Sequence, residues 1–413
     1  MYIYCVVAPN PIPYTLYAFM KVCVINNLYP PYVRGGAEQV VVKTVEGLLD
    51  AGHTVIVITS TPQGDYCERE GDRLMICRYR PWNIFYHTDG HRYGVFTRLA
   101  WHIVNLFHIG AAKRVHKILQ EFEPDVVHTH NLMGLSFLIP LVIRRLGLRH
   151  VHTVHDVQLV EPSGIIRKTR ERSWRYTGLH VVLYSALLRS LMGSPHVVIS
   201  PSQFLLNFYE SRGFFRTSKR VVLRNPVTTD LRPLTKTSHA EVQFLYLGQI
   251  EEHKGIVFLA ETFLRFLREG GRGVLHIAGT GSQAARLQEF ARGRHTIVLH
   301  GKVAREELPK LFASADVTVV PSLCYENSPT VIFESFSFGV PVLASKVEGI
   351  AELIHERENG MTFQTENPES LLEKLRWCAL HHEVLHQMGG KTAASLTGLS
   401  QGEYVEKLSA LYR

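Results

Sequence analysis

The sequence predicts an α/β protein of two doubly wound domains that face each other across a cleft. Three observations carry this expectation. At 413 residues the chain is longer than one hydrophobic core usually organises. In both halves, short β-branched runs alternate with stretches of helical periodicity. Between the two series lies a polar stretch, "TTDLRPLTKTSHAE" (228–241), the candidate hinge.

The first series reads as strands at "KVCVIN" (21–26), "HTVIVIT" (53–59), "DVVHTH" (125–130), "HVHTVHD" (150–156), "HVVISPS" (196–202) and "VVLRNPV" (221–227). The runs are nearly continuous in apolar residues, as strands of a parallel sheet covered on both faces require. A helix, "AEQVVVKTVEGLLDAG", joins the first two and stops at Gly52. The second series is "VQFLYLGQI" (242–250), "VLHIAGTG" (274–281), "TIVLHG" (296–301), "DVTVVPS" (316–322) and "PVLASKV" (341–347). Residues 20–235 and 236–385 are thus the expected domains, each with a parallel sheet. Residues 386–413 are expected to be helices packing back toward the first domain, and residues 1–19 an extension outside the fold, consistent with a mis-set start. That segment lacks a basic n-region and has two prolines where a signal core belongs.

Composition narrows the classes. Hydrophobic residues make up 46% and charged residues 20%, as in a globular protein with two cores. No apolar run reaches the roughly 18–20 residues that span a bilayer. The six cysteines are scattered, with no C-x-x-C, which predicts neither a metal site nor a disulfide framework and favours a reducing compartment. Residues 1–235 carry 27 Lys and Arg against 16 Asp and Glu, a balance of +11; the remainder carries 18 against 21, a balance of −3. That asymmetry fits an anionic partner of the first half, and equally a solvated basic face. A nucleic-acid partner is not expected, because no recognisable nucleic-acid module accompanies the basic pI. A hydride-transferring enzyme is disfavoured by the lack of a strand-linked G-x-G-x-x-G.

Glycine-bearing turns follow several strands. Gly35 and Gly36 in "PPYVRGGAEQ" precede a helix, where backbone N–H groups attract anions, although a tight turn alone explains the pair as well. "YLGQIEEHKGI" has Gly248 and Gln249 at a strand end and Lys254 at a helix start, where an ammonium can meet a phosphate or simply stay in water. "IAGTGS" adds Gly279 and Gly281. In "CYENSPTVIFESFSFGVPVLAS", Glu326 and Glu334 stand eight positions apart around Ser328-Pro329, with proline suited to a first helical turn. Anionic oxygens fit the amides after Ser328, and neutral hydroxyls fit the two carboxylates. Solvated charges would account for either glutamate alone. His128, His130, His152 and His155 invite a metal reading, but no Cys or paired carboxylate completes a set, so strand-end histidines facing the cleft are expected and metal is not.

Taken together, these motifs resemble glycosyltransferase family 4, also called group 1, the retaining nucleotide-sugar transferases of GT-B fold with two Rossmann-like domains. The E-x7-E signature matches Glu326 and Glu334, and "RGGAEQ", "VVHTH", "HTVHD", "VVISPSQF", "VVLRNPV", "LGQIEEHKG" and "IAGTGS" precede it in order from about residue 20. The resemblance implies that the first domain binds the acceptor and the second the donor. It implies that Glu334 holds the donor ribose, that Glu326 contacts sugar hydroxyls, and that amides of Ser328, Pro329's successor Thr330 and Val331, with Asn327 beside them, bind the diphosphate and sugar. Lys254 would neutralise the diphosphate, the Gly35-Gly36 loop would close over it, and His155 would lie beside the reacting sugar. Gln249 stands where the family often has arginine, which shifts more of the charge compensation to Lys254 and the helix ends. No cofactor and no metal are implied, and Asp-x-Asp, the mark of metal-dependent GT-A transferases, does not occur in the chain.

The implied reaction is a hexosyl-type transfer from a nucleoside diphosphate sugar to an acceptor hydroxyl with retained configuration. No carboxylate in the matched motifs offers itself as a nucleophile, so attack from the leaving-group face is expected, with a departing phosphate oxygen taking the acceptor proton. "RKTRERSWR" (167–175) and "FTRLAWHIVNLFHIGAAKRVHKIL" (96–119) mix cations with aromatic and apolar residues. They suit an anionic membrane surface and a lipid-linked or polysaccharide acceptor at its cytoplasmic face, or else ordinary core helices with a charged edge. A sugar-nucleotide epimerase or hydrolase, and a non-catalytic nucleotide-sugar-binding protein, are the alternatives.

Overall fold

The computed structural model describes residues 19–33, 35–227, 236–237 and 239–413. The N-terminal extension expected at 1–19 lies outside the described residues except for Phe19, as does most of the candidate hinge.

Strands β1 (Lys21–Ile25), β2 (Thr54–Ser60), β3 (Tyr66–Glu70), β4 (Leu74–Tyr79), β5 (Val126–Thr129), β6 (Arg149–Thr153), β7 (Val197–Ser200) and β8 (Lys219–Val222) form one eight-stranded sheet. Their order is β3-β4-β2-β1-β5-β6-β7-β8. The second sheet comprises β9 (Val242–Leu247), β10 (Gly273–Ala278), β11 (Ile297–Gly301), β12 (Val317–Val320), β13 (Val342–Ser345) and β14 (Gly360–Phe363), in the order β11-β10-β9-β12-β13-β14. The apolar runs are dictated by two-sided burial. In β1, Val22 and Val24 face one core with Val41, Val45 and Leu408, whereas Cys23 and Ile25 face another with Val115, Ile143 and Leu188. All four are fully buried, and each aliphatic one contributes about 1.5–3 kcal/mol.

Three expectations are corrected here. The first sheet is not wholly parallel, because β3 pairs antiparallel with β4 in a hairpin that the sequence reading passed over. That hairpin sets Cys67 opposite Cys77, and the two form a disulfide with Cα atoms 4.1 Å apart, so the expectation of no disulfide fails and with it the argument for a reducing compartment. The last strand of the first series is Lys219–Val222 rather than 221–227, since the run "RNPV" has already left the ladder for the cleft. β14 was also not foreseen.

The two sheets meet through the loops at their strand ends. Lys168 N–H donates to Leu323 O (2.9 Å) and Tyr325 N–H to Ile166 O (2.9 Å), a short bridge between lobes. Arg167 pairs with Glu252 and Glu366, and Lys168 with Glu348. Two of the five basic residues in "RKTRERSWR" are therefore committed to acids of the second lobe, which explains part of the charge asymmetry without any outside partner. The Glu352 carboxylate accepts N–H bonds from Gln203 (3.0 Å) and Phe204 (2.7 Å) at a helix start of the first lobe.

After the second sheet the chain returns. The helix Gln401–Leu411 lies on the helix Gly36–Asp50, with Gln401 Nε2 donating to Lys43 O (2.8 Å) and Tyr404, Val405 and Leu408 buried in the first lobe's core. Where the outward and returning segments pass, Val227 N–H donates to Leu399 O (2.8 Å).

Candidate active site

In each sheet the strand order reverses once at the centre, between β1 and β5 and between β9 and β12. Ligands of such sheets bind at the carboxyl ends of the strands beside that reversal. A cavity of about 460 Å³ lies there, between the lobes.

The second lobe supplies most of its polar wall. β12 runs into a loop in which Ser322 Oγ donates to Glu326 Oε1 (2.9 Å) and Lys254 Nζ donates to the same oxygen (2.5 Å). Lys254 arrives from the loop after β9, in a single 3-10 turn that ends at Gly255. Gly255 has φ +73° and a Cβ there would lie 1.9 Å from Pro321 O, so only glycine lets the lysine's loop touch the glutamate's loop. Burial alone would lower the Lys254 pKa, but the Glu326 carboxylate outweighs it and holds the ammonium above its ordinary range. Pro329 caps the helix Thr330–Ser337; Ile332 N–H reaches back to Pro329 O (3.1 Å), while Thr330 and Val331, which precede the helix's own i→i−4 bonds, line the cavity end. Glu334 lines the same cavity from within that helix. Asn327 ties the lobes together, receiving a hydrogen bond from Ser202 Oγ and donating to His155 O (3.2 Å).

The first lobe presents backbone and imidazoles. Gly35 N–H donates to Glu38 Oε2 (2.7 Å), which fixes the Gly-Gly turn at its helix. A Cβ on Gly36 would come within 3.0 Å of the Thr330 side chain, so this turn and the opposing helix start are in close contact. His155 Nε2 and His130 Nδ1 are hydrogen-bonded at 2.9 Å. Behind them, His128 bonds to Tyr412 Oη (2.8 Å) and Thr153 Oγ1 (2.7 Å), while Thr129 Oγ1 meets His150 Nε2 and His152 Nδ1, each at 2.8 Å. Burial lowers the pKa of His155 to about 4 and that of His152, crowded by His155, to about 3; those of His128, His130 and His150 fall well below the ordinary imidazole value for the same reasons. All five are neutral at pH 7. The adjacent Asp156 goes the other way, raised to about 6 by burial against the opposing N–H of Gln158.

Of the residues singled out in the sequence, the cavity brings together Gly35, Gly36, His155, Gly248, Gln249, Lys254, Gly279, Glu326, Asn327, Ser328, Pro329, Thr330, Val331 and Glu334. Gly281 is not among its lining: that turn is spent on Ile250, whose N–H reaches Thr280 O (2.9 Å) and whose carbonyl accepts from Gln283 (3.0 Å). Lining residues with polar side chains that the sequence reading did not assign to the site include Tyr246, Asn225 and Lys302. Tyr246 donates to Gln249 O (2.6 Å), Asn225 sits at the end of "VVLRN", and Lys302 follows β11. The Asn225 signal was present in a quoted motif; that of Lys302 was a lone lysine after a strand. A second hollow of about 170 Å³ shares His155, Lys254 and Glu326 with the first and extends past Asp156, Phe204 and Tyr325. The strand histidines hydrogen-bond to one another, Thr and Tyr; the grouping of three ligand atoms close enough to share a metal among the described residues, Asp316, His382 and His386, is elsewhere.

Known proteins share this architecture and match the sequence along both lobes. A family profile described as "Glycosyltransferase Family 4" matches residues 34–231, and one described as "Glycosyl transferases group 1" matches residues 241–380. An uncharacterised glycosyltransferase of Methanocaldococcus jannaschii is 27% identical over 85% of this chain and 87% of its own. Among solved structures, sucrose-phosphate synthase from Thermosynechococcus elongatus superposes with TM-score 0.73 at 17% identity, covering 95% of this chain and 98% of that one. HepE of Anabaena, in complex with UDP-glucose, does so with TM-score 0.66 at 15% identity over 95% and 98%. Two facing sheets of GT-B form, with the paired glutamates where the sheet order reverses, are thus accompanied by family profiles on both lobes. The chain belongs to the group 1, family 4 glycosyltransferases, enzymes that carry a sugar from a nucleotide sugar to an acceptor.

Proposed function

We propose that the chain transfers a hexosyl unit, with retention and without a metal, from a nucleoside diphosphate sugar to a hydroxyl of a lipid-linked or polysaccharide acceptor. One observation carries the proposal: a single interlobe cavity collects Lys254, Glu326, Glu334 and a helix start from one lobe and His155 from the other. In this reading residues 20–235 serve the acceptor and 236–385 the donor. Glu334 takes the ribose hydroxyls, and the amides from Ser328 to Val331 take the diphosphate. Approach of the diphosphate draws the Lys254 ammonium away from Glu326, which frees that carboxylate for sugar hydroxyls. Lys302 offers a further cation where Gln249 cannot. The UDP-glucose bound to Anabaena HepE supports testing uridine donors first.

As the anomeric carbon–oxygen bond breaks, its electron pair goes to the diphosphate, and Lys254 with the helix amides stabilises that charge. The acceptor oxygen bonds the anomeric carbon from the same face, and its proton passes to the departing phosphate oxygen. His155, kept neutral, can hydrogen-bond a sugar hydroxyl without repelling an oxocarbenium-like centre. The hollow beside Asp156, Phe204 and Tyr325 is the proposed acceptor entrance.

A membrane-borne acceptor draws support from the helix Val95–Leu106 and its surroundings. Val95, Phe96, Leu99, Ile103 and Ile109 are exposed, with Arg98 beside them, and Trp82 and Trp174 are more than three-quarters exposed. No helix among the described residues is long and apolar enough to cross a membrane; the contact proposed from these exposed side chains is with a surface, at the cytoplasmic face. The test is a thermal-shift screen of nucleoside diphosphates, followed by donor sugars on the best base and product analysis with and without acceptor lipid. Release of free sugar or an epimer at full rate without acceptor would replace transfer by hydrolysis or epimerisation.

A further inference from the structure

Asp316 stands directly before β12, at the amino ends of the second sheet's strands. Ser322 and Glu326 follow its carboxyl end, about 20 Å of extended chain away. The Asp316 side chain is 4% exposed, and its Oδ2 accepts the Gln243 N–H (2.8 Å). The nearby Lys236 ammonium is turned to the carbonyls of Phe312 (3.0 Å) and Ala315 (3.3 Å). Oδ1 faces the helix His382–Lys391, which Leu385 and Met388 seat against the lobe's core. His382 and His386 are one turn apart on that helix, so both imidazoles lie on one face. Their Nε2 atoms are 2.9 and 3.8 Å from Asp316 Oδ1.

An ordinary His–Asp hydrogen bond does not account for this arrangement. His382 Nε2 is shut off from solvent and, despite its proximity to the carboxylate, makes no aligned hydrogen bond among the described residues. All three ligand atoms lie within 4.8 Å of one another. Ligands bonded to a tetrahedral Zn²⁺ at roughly 2.0–2.1 Å stand about 3.3 Å apart, and the two observed separations straddle that value. We propose that Asp316, His382 and His386 form a site for a divalent transition-metal ion of the zinc class, which fastens the helix His382–Lys391 to the sheet from the side opposite the sugar-transfer cleft.

The donor set favours this class. Two imidazole nitrogens and one carboxylate oxygen suit Zn²⁺, Co²⁺ or Ni²⁺, whereas Ca²⁺ and Mg²⁺ seek oxygens. The Gln243 N–H orients the carboxylate in the way outer contacts orient metal ligands. Water would complete the fourth position. None of the three lines the interlobe cavity, so the fate of this site is independent of the donor and acceptor assignments.

The full chain, stripped with EDTA and desalted, is titrated with Zn²⁺ against a chromophoric chelator and, separately, with Co²⁺ in the visible range. One equivalent bound, a tetrahedral Co²⁺ band, and a higher Tm with Zn²⁺ are expected. His382→Gln and His386→Gln should each weaken binding about tenfold or more and remove the band, while His180→Gln on another helix should leave both unchanged. If the variants melt lower even without metal, the Co²⁺ band of their folded state decides. Equal Zn²⁺ binding by the wild type and the His382→Gln/His386→Gln double variant, or no stoichiometric binding by the wild type, overturns the site.

Discussion

The two walls of the cleft handle charge in opposite ways. On the second lobe, Lys254, Glu326, Glu334 and Lys302 line the cavity, with an ion pair of 2.5 Å between the first two. On the first, His155 lines the cavity, its pKa lowered to about 4 by burial, and four histidines behind it are held neutral by burial and mutual crowding. Their chemistry differs because their backbones do. Lys254 and Glu326 sit on loops beyond the strands, where ammonium and carboxylate can pair at the cavity edge, whereas His128, His130, His150 and His152 are on or beside the strands themselves, sealed among apolar neighbours. On the proposed assignment, the wall that meets a diphosphate keeps its charges, and the wall that meets hydroxyls is better without them.

The sharpest way to break this division is to remove the ammonium. Lys254→Ala should lower kcat/KM by about 10²–10³-fold, the scale of a lost preorganised charge contact, and leave Glu326 unpaired. Lys302→Ala should cost about tenfold, and a loss equal to that of Lys254→Ala would mean the two lysines share the diphosphate evenly. Glu334→Ala should raise the nucleoside diphosphate Kd about tenfold in calorimetry, with a smaller change in turnover at saturating donor. His155→Ala should do the reverse, reducing kcat about tenfold while nucleotide affinity holds; a parallel loss of affinity would move His155 to the donor wall.

Acid should distinguish the walls next. Below pH 6.5 the unfolded chain's imidazoles take up protons, while folded His155 does so only near 4, so stability present above 6.5 is lost as pH falls through that window. Scanning calorimetry should show Tm falling from pH 6.5 toward 4, less steeply in His130→Asn. The smallest effect is expected at the apolar rim of the first lobe. Phe96→Ser with Ile103→Ser should reduce sedimentation with anionic vesicles and leave soluble donor hydrolysis unchanged.

Much of this was legible because it was local. The run "KVCVI" names its strand because both faces are buried, and Glu326 and Glu334 come from one loop and the helix that follows it. The β3–β4 hairpin was not legible, since "YCERE" is polar and largely exposed, and the Cys67–Cys77 bond depended on that hairpin's register. Lys302 reaches the cavity only because β11 is placed two strands from β9, which no single segment encodes. Gly281 looked like its neighbour Gly279, yet its turn is tied to Ile250 while Gly279 lines the cavity. Asp316 and His386 are 70 positions apart in the sequence and meet only after the sheet forms.

The bond between Val227 and Leu399 bears on how the mouth opens. A body held by one tether can turn in any sense, but here two spans cross side by side and are pinned to each other at the crossing. Two spans pinned in this way should favour a swing about the line they define over a slide, a motion that brings Gly36 back to Thr330.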